Sequence, residues 1–321
     1  MPKDIRIILI GAGNIGSRYL QGLAKLNFKA EISVFDISND SLEIAKERIK
    51  NFKNANKIKF NFTNSFTEIS GEFELAIIST TSKDRVTIIK KLFEKSKVKY
   101  WILEKVLVQS LHDLEIINNI FPYKQNVWVN HPRRLMNWHK DIRNKLLKDY
   151  ENRLDIEIKG TEWGLACNAL HFIDLVSWWT NVSIKNVNNS GLKKWTLSKR
   201  DGYEEVYGNL KINFDKENKL TLICDQGLES HPIIKIKTNK GCIKIDENIG
   251  SALFTDGHFI KGSLEYISNL VPELIYKIVK EGNCNLPNLE HSIHIHEKFI
   301  DSLAKHRSIN LNLTSQIVPI T

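Results

Sequence analysis

Between residues 5 and 130 the chain alternates short apolar runs with longer amphipathic stretches. Ile5–Ile10 (IRIILI) is apolar apart from Arg6, as a strand buried on both faces requires. A glycine-rich turn follows, then a stretch of helical period over 15–26. Residues 31–35 (EISVF) read as a strand and 41–50 as a helix. The alternation continues with a strand at 74–79 (ELAIIS), a helix at 84–95, a strand at 100–103 (YWIL), a helix at 111–121 and a strand at 125–130 (QNVWVN). Strands alternating with helices predict a parallel sheet joined by right-handed helical crossovers.

The pattern then changes. Residues 133–149 are rich in Arg and Lys at helical spacing, and 163–179 form one strongly apolar predicted helix. From 154 to 259 the remaining runs alternate apolar and polar residues: LDIEI, VYGNLKINF, KLTLIC, IIKIKT and CIKID. Period-two alternation marks a mostly antiparallel sheet with one face on a core and the other open. Two helices, at 264–279 and 289–306, close the chain. The expected fold is therefore α/β. A doubly wound parallel sheet of Rossmann type occupies 1–122, and an α+β domain with a large, open-faced, mostly antiparallel sheet occupies 123–321. A broad apolar open face is normally covered by a partner, so a homodimer or homotetramer of closed symmetry is expected.

Composition narrows the class further. Of 321 residues 42% are hydrophobic, enough for packed cores in two domains. No apolar run reaches the roughly 18 residues of a membrane span, so no membrane partner is expected. The formal charge of +9 comes from lysines dispersed among Asn and Ile, not from a dense basic block. A solvated surface explains it, and nucleic acid is not an expected partner. Met1-Pro2-Lys3-Asp4 leads straight into the first strand with none of the regions of a secretion signal. Cys167, Cys224, Cys242 and Cys284 are widely spaced without a CxxC, as in a cytoplasmic protein with reduced thiols. His291, His294 and His296 lie close together, but no thiolate or carboxylate cluster completes a metal site, and no metal is expected.

Gly11-Ala12-Gly13-Asn14-Ile15-Gly16 is GxGxxG, set between a buried strand and a helix. The first glycine permits the tight turn, the second lets backbone approach a pyrophosphate, and the third lets helix and strand pack closely. The helix start at Asn14 and Ile15 offers N–H donors and positive dipole to the anion. Asp36 closes the second strand at the offset expected of an acid that bonds ribose hydroxyls. It would repel a 2′-phosphate, and no Arg follows it in Asp36-Ile37-Ser38-Asn39-Asp40, so NAD is favoured over NADP.

Glu104-Lys105-Val106 stands at the end of the 100–103 strand. Carboxyl strand ends of open parallel sheets face the ligand crevice, where a lysine can reach a substrate oxygen. Further on, Cys167, His171 and Asp174 in WGLACNALHFIDLVSWW lie at i, i+4 and i+7, on one helix face. A dinucleotide turn, Glu-Lys at a strand end and a later His-x-x-Asp on an apolar helix together resemble the Gfo/Idh/MocA family, which includes glucose–fructose oxidoreductase and inositol dehydrogenase. The resemblance spans essentially the whole chain, including the order of domains and the closing LPNLEHSIHIHEKFIDSLAKH. Relatives carry EKP where this chain has Glu104-Lys105-Val106, and often Asp where it has Cys167. VWVNHPRR, ending at Arg134, resembles the strand and arginine after the family's nucleotide domain. Ser79-Thr80-Thr81 falls where relatives pass backbone beneath the nicotinamide ribose.

The resemblance implies an NAD-dependent dehydrogenase or reductase acting on the CH–OH or keto carbon of a sugar, cyclitol or sugar nucleotide. The basic charge is compatible with an anionic member of that group. Cofactor contacts are implied for Gly11, Gly13, Asn14, Ile15, Gly16, Asp36, Ser79, Thr80, Thr81, Glu104 and Lys105. Substrate contacts are implied for Lys105, Arg134, Asn168 and His171, and catalysis for Lys105, His171 and Asp174. Histidine, with an ordinary pKa near 6.5, suits a general base, and cationic Lys105 would stabilise a developing alkoxide. Asp174 either joins the chemistry or orients His171, and Cys167 reads as packing. Two other functions stay open: a glycoside hydrolase that oxidises its sugar transiently with bound NAD, and an NAD-binding protein without catalysis. Calorimetric titration is expected to show tighter binding of NAD(H) than of NADP(H). Asp36→Ala combined with an Arg placed nearby is expected to shift the preference toward NADP(H).

Overall fold

The computed structural model describes residues 5–50, 52, 57–150 and 153–321. Met1–Asp4, on which the secretion-signal argument rests, lie outside the described residues. In chain order the helices are α1 (Asn14–Leu23), α2 (Asn39–Ile49), α3 (Arg85–Lys95), α4 (Leu111–Ile120), α5 (Asn137–Asp149), α6 (Leu165–Thr180), α7 (Ile267–Glu281) and α8 (Leu289–Leu311). Two compact units share the chain. The first holds the described residues of Met1–Leu107 with Ile116–Pro132 and Glu265–Glu290; the second holds Val108–Glu115, Arg133–Leu264 and His291–Thr321.

The first unit is built on six strands: β1 (Ile5–Ile10), β2 (Ala30–Phe35), β3 (Ile58–Thr63), β4 (Gly71–Ile78), β5 (Ser96–Leu103) and β6 (Val127–Val129). Their order is β3-β2-β1-β4-β5-β6, and every adjacent pair is parallel. Ile7 to Ile10 and Leu75 to Ile78 have no exposed surface, which is why these runs are continuously apolar. β3 (IKFNFT) is absent from the expected series because it is an edge strand. Its exposed Lys59 and Asn61 reach Glu31 on β2 at 3.4 and 2.7 Å, so it lacks the apolar run of an inner strand. The strand order reverses between β1 and β4, and a crevice at the carboxyl ends of an open sheet lies at such a point.

A single cut after residue 122 does not divide the compact units, because α7 packs on α1 in the first. Gly22 of α1 sits so close to Val271 of α7 that a Cβ would overlap the valine side chain. Lys25 also donates to Asn269 Oδ1 at 3.0 Å.

The second unit is built on β7 (Asp155–Thr161), β8 (Ile184–Leu197), β9 (Glu204–Phe214), β10 (Lys219–Asp225), β11 (Ser230–Thr238), β12 (Gly241–Asp246), β13 (Ser251–Leu253) and β14 (Phe259–Lys261). The order is β14-β13-β12-β11-β7-β10-β9-β8. Only the central β7–β10 pair is parallel; the other pairs are antiparallel. β8 escaped the alternation rule because its register shifts between Asn188 and Gly191 and again between Leu192 and Trp195. α6 packs on β9, β10 and α5. Ile156, Ile158, Leu210, Leu220, Leu222, Ile234 and Ile236 form the buried face of the sheet.

The other face corrects the expectation of a broad apolar surface. Register places Lys235 opposite Glu157, Lys159 opposite Ile233 and Lys211 opposite Thr221, with Lys219 opposite Asp155. The face is mainly charged and polar, so no apolar patch there demands a cover. No helix among the described residues is long and apolar enough to cross a membrane.

One buried ionic cluster ties α5 to the end of β12. Arg133 donates Nε and Nη2 to the two oxygens of Glu247, both at 2.6 Å. His139 Nε2 lies 3.0 Å from Glu247 Oε1. Burial pushes the Glu247 carboxyl up, but the Arg133 charge and the His139 contact outweigh it and hold the group well below the usual carboxylate range. Burial pushes His139 down despite Glu247, so at neutral pH the ring is a neutral partner and not half of an ion pair. The lowered Glu247 contributes stability that is complete above the ordinary glutamate range, about pH 4.3, and is lost as acid titrates the folded protein. Glu247→Ala would leave Arg133 buried without its partner and is expected to cost about 3–5 kcal/mol in urea unfolding at neutral pH, a loss that narrows as the pH is lowered.

Candidate functional site

The β1–α1 turn is shaped by two close approaches. Gly11 has φ +94°, and a Cβ there would lie 2.9 Å from the backbone nitrogen of Thr80. A Cβ on Gly16 would overlap the Gly11 carbonyl. Gly13 differs: nothing stands within 4 Å of where its Cβ would be. α1 begins there with no side-chain cap and no acid in its first turn. Open space before uncapped helix N–H groups is what a phosphate needs, so this turn fits a dinucleotide. Asn14 and Ile15 form the helix start, where the sequence placed them.

Asp36 joins the same turn. Its Oδ2 accepts from the backbone N–H of Ala12 at 2.6 Å, and its Oδ1 from that of Ser38 at 2.9 Å. Each carboxylate oxygen retains a second acceptor site, so the group can hold the turn and still bind hydroxyls. The Ser79 hydroxyl donates to the Gly11 carbonyl at 2.6 Å and lies 3.1 Å from that of Ile10, which ties the end of β4 to the turn. The neighbouring Thr80 Oγ1 is buried with no hydrogen-bond partner among the described residues. Thr81 follows it, half-buried.

Glu104 is placed differently from the sequence reading. Its carboxylate is buried, and Oε1 accepts from Asn130 Nδ2 at 2.6 Å and from the Tyr19 hydroxyl at 3.0 Å. Burial pushes its pKa up; the Asn130 and Tyr19 hydrogen bonds and the Arg85 charge only moderate the rise. Glu104 thus pins the end of β5 to α1 and to the end of β6. Lys105 follows it, half-buried, and the Lys105–Val106 peptide is cis.

Sequence reasoning missed Arg85, which organises this edge. It is wholly buried at the start of α3. Its guanidinium donates to the carbonyls of Thr80, Val106 and Leu107, the last at 3.1 Å. One side chain therefore joins the loop after β4 to the loop carrying Lys105. The available signal was a cation at a helix N-terminus, where the dipole disfavours it.

In the second unit, α6 carries Cys167, Asn168, His171 and Asp174. His171 is half-buried and Asp174 is buried. Asp174 accepts a fork from Arg134: Nε to Oδ2 at 2.8 Å and Nη2 to Oδ1 at 2.6 Å. His291 Nε2 lies 2.9 Å from Arg134 Nη2 and 3.4 Å from Asp174 Oδ1. The structure therefore joins Arg134 and Asp174, expected as separate substrate and catalytic groups, into one ion pair with His291 beside it. The other two clustered histidines turn elsewhere, His294 toward the Ile184 carbonyl and His296 toward that of Ser292. Asn168 Nδ2 donates to the Trp163 carbonyl at 2.8 Å, within the first turn of the helix. His291 was legible only as part of a histidine cluster; its partner Arg134 is 157 residues away.

No protein-family model matches the sequence, and no curated protein matches it. Solved structures do. A scyllo-inositol dehydrogenase from Lactobacillus casei with bound NAD(H) and scyllo-inositol is similar at 14% identity and a TM-score of 0.67, over 96% of this chain and 98% of that one. Myo-inositol 2-dehydrogenase from Lactobacillus plantarum is similar at 14% identity and 0.66, over 97% and 98%. An oxidoreductase from Agrobacterium radiobacter, in complex with NAD+, L-tartaric acid and magnesium, gives 11% identity and 0.71, over 96% and 97%. Both units of this chain thus have the fold of these dehydrogenases, in the order expected from sequence.

The glycine turn separates binding from folding in a testable way. Gly13→Ala is expected to keep the wild-type melting temperature and weaken NAD binding at least about tenfold, since its methyl enters only the open space. Gly16→Ala is expected to lower the melting temperature, since its methyl meets backbone. Calorimetry and thermal unfolding of the two variants check both outcomes.

Proposed function

We propose that this chain is an NAD-dependent dehydrogenase or reductase acting on a CH–OH or keto carbon of a sugar, cyclitol or sugar nucleotide. The observation that carries the reading is the β1–α1 turn. Open space faces Gly13 at an uncapped helix terminus, beside the Asp36 carboxylate, at the point where the strand order reverses. The polyol class is supported by the similar structures, two of which are inositol dehydrogenases. The reading includes a cytoplasmic homo-oligomer.

NAD, when bound, supplies the hydride acceptor for alcohol oxidation and the donor for reduction. The chain supplies the rest. The first turn of α1 would hold the pyrophosphate and Asp36 the adenosine ribose. Ser79, Thr80 and Thr81 line the end of β4 for the nicotinamide ribose, and Thr80 Oγ1 has a hydrogen bond to give. Lys105 places a cation at the carboxyl edge of the sheet, where it would hold the substrate oxygen and stabilise its negative charge. His171 takes the hydroxyl proton during oxidation and returns it during reduction. Asp174, three residues along the same helix, is neutralised by its ion pair with Arg134, which leaves His171 as the proton acceptor. Asn168 offers its carbonyl oxygen to a substrate hydroxyl. Glu104 serves the cofactor only indirectly, by fixing the strand end that carries Lys105.

Lys105→Ala is expected to lower turnover by about 100- to 1,000-fold while leaving NAD affinity nearly intact, because the glycine turn and Asp36 hold the cofactor. His171→Ala is expected to lower it roughly 100- to 10,000-fold and to flatten the acidic limb of the pH–rate profile for oxidation. The double variant is expected to lose far less than the product of the two. NADH formation against a panel of polyols, sugars and UDP-, GDP- and CMP-sugars supplies the assay. Wild-type turnover with an unchanged profile in His171→Ala would remove the histidine from the mechanism.

A further inference from the structure

α6 begins without a cap of its own. Gly164 precedes it at φ +74° with no side chain, and the first turn contains no acid. The backbone donors of such a terminus need acceptors from elsewhere. Glu205, on β9, provides them. Its Oε1 accepts from the backbone N–H of Ala166 and, at 3.0 Å, from that of Val206; its Oε2 accepts from the N–H of Cys167 at 3.4 Å. A Cβ on Gly164 would come 3.2 Å from Oε2, so glycine there makes room for the acid. Burial pushes the Glu205 carboxyl up, and the donors from Val206, Ala166 and Cys167 oppose that rise.

We propose that Glu205 is a positioning residue for His171. It grips the first turn of α6 from the sheet, and His171 stands one turn further along that helix, on the face of Cys167. Cys167 serves Glu205 through its backbone N–H and has no nucleophilic part. The proposal rests on the reading of His171 as the proton acceptor. A carboxylate at position 167 would stand against Glu205, and two carboxylates sharing one buried place cannot both stay ionised. One negative charge therefore belongs at this end of α6, and the chain supplies it from residue 205.

Moving that charge is the test. Wild type, Cys167→Asp, Glu205→Gln and the double variant are compared as full chains by thermal unfolding and by the ring resonance of His171, assigned from its loss in His171→Ala. Each single variant is expected to lower the melting temperature by about 5 °C and to displace the His171 resonance. The double variant is expected to come back to within about 2 °C and to restore the resonance. Additive losses in the double variant would overturn the shared charge. An unmoved resonance in Glu205→Gln, with a lowered melting temperature, would reduce Glu205 to a helix cap and overturn the positioning role. If a single variant does not fold, folding of the double variant supports the proposal and its failure overturns it. Neither readout needs turnover, so a wild type that forms no NADH with the polyol panel would defeat the hydride-transfer reading separately. Where turnover is measurable, Glu205→Gln is expected to lose about tenfold or more in kcat at unchanged KM for NAD, and the double variant to recover most of it.

Discussion

A charge taken out of water must be met by partners, and in both units that requirement fixes loops and element ends next to the candidate site residues. An unmatched buried ion costs several kcal/mol, against a total stability of about 5–15 kcal/mol for a domain, so one unmet charge can consume a large share of it. In the first unit Arg85 meets three carbonyls from two loops, and Glu104 meets Tyr19 and Asn130. In the second, Arg134 meets Asp174, Arg133 meets Glu247, and Glu205 meets the start of α6. Each match holds a strand end, a loop or a helix terminus in place. Lys105 sits on a loop whose carbonyls are claimed by Arg85, and His171 on a helix gripped at its first turn.

Two acids that the sequence singled out are held by neighbouring side chains in the structure. Asp174 and Glu104 were singled out for being acidic at the right places. Both are buried, and a buried carboxylate is already committed to its neighbours before any ligand arrives. Lys105 and His171 are half-buried, which suits groups that must meet a small molecule. Asp36 holds the turn and keeps acceptor sites in reserve, because a carboxylate has more of them than the turn consumes.

Legibility in the sequence followed the range of the forces involved. Gly11 and Gly16 are demanded by contacts within the turn or with the adjoining strand end, and the local motif announces them. The carboxyl halves of the inner strands β1, β4 and β5 are apolar because both faces are covered there, and their runs stand out. The edge strand β3 carries Lys59 and Asn61, and β8 breaks its own register, so neither shows a clean period. The charge on the open face of the larger sheet was visible as alternating lysines, but its meaning depends on which members of the alternation point inward. The partners of Arg85 and Glu205 could not be read from the sequence, because they are chosen by the fold and not by spacing. Nothing in WGLACNALHFIDLVSWW indicates that a glutamate 38 residues beyond Cys167 will close its first turn.

The pairing of α1 with α7 also bears on how the protein is made. The helix that covers the Gly22 face of α1 is encoded about 240 residues after it, a delay of roughly 10–50 s at 5–20 residues per second. Through the later part of that interval, while the larger sheet is being translated, the nascent first unit has its strands but not its last layer. Closing so long a loop adds little to the equilibrium cost, which grows only with the logarithm of its length. The burden is kinetic: the first unit cannot finish folding until α7, encoded after the larger sheet, has been made.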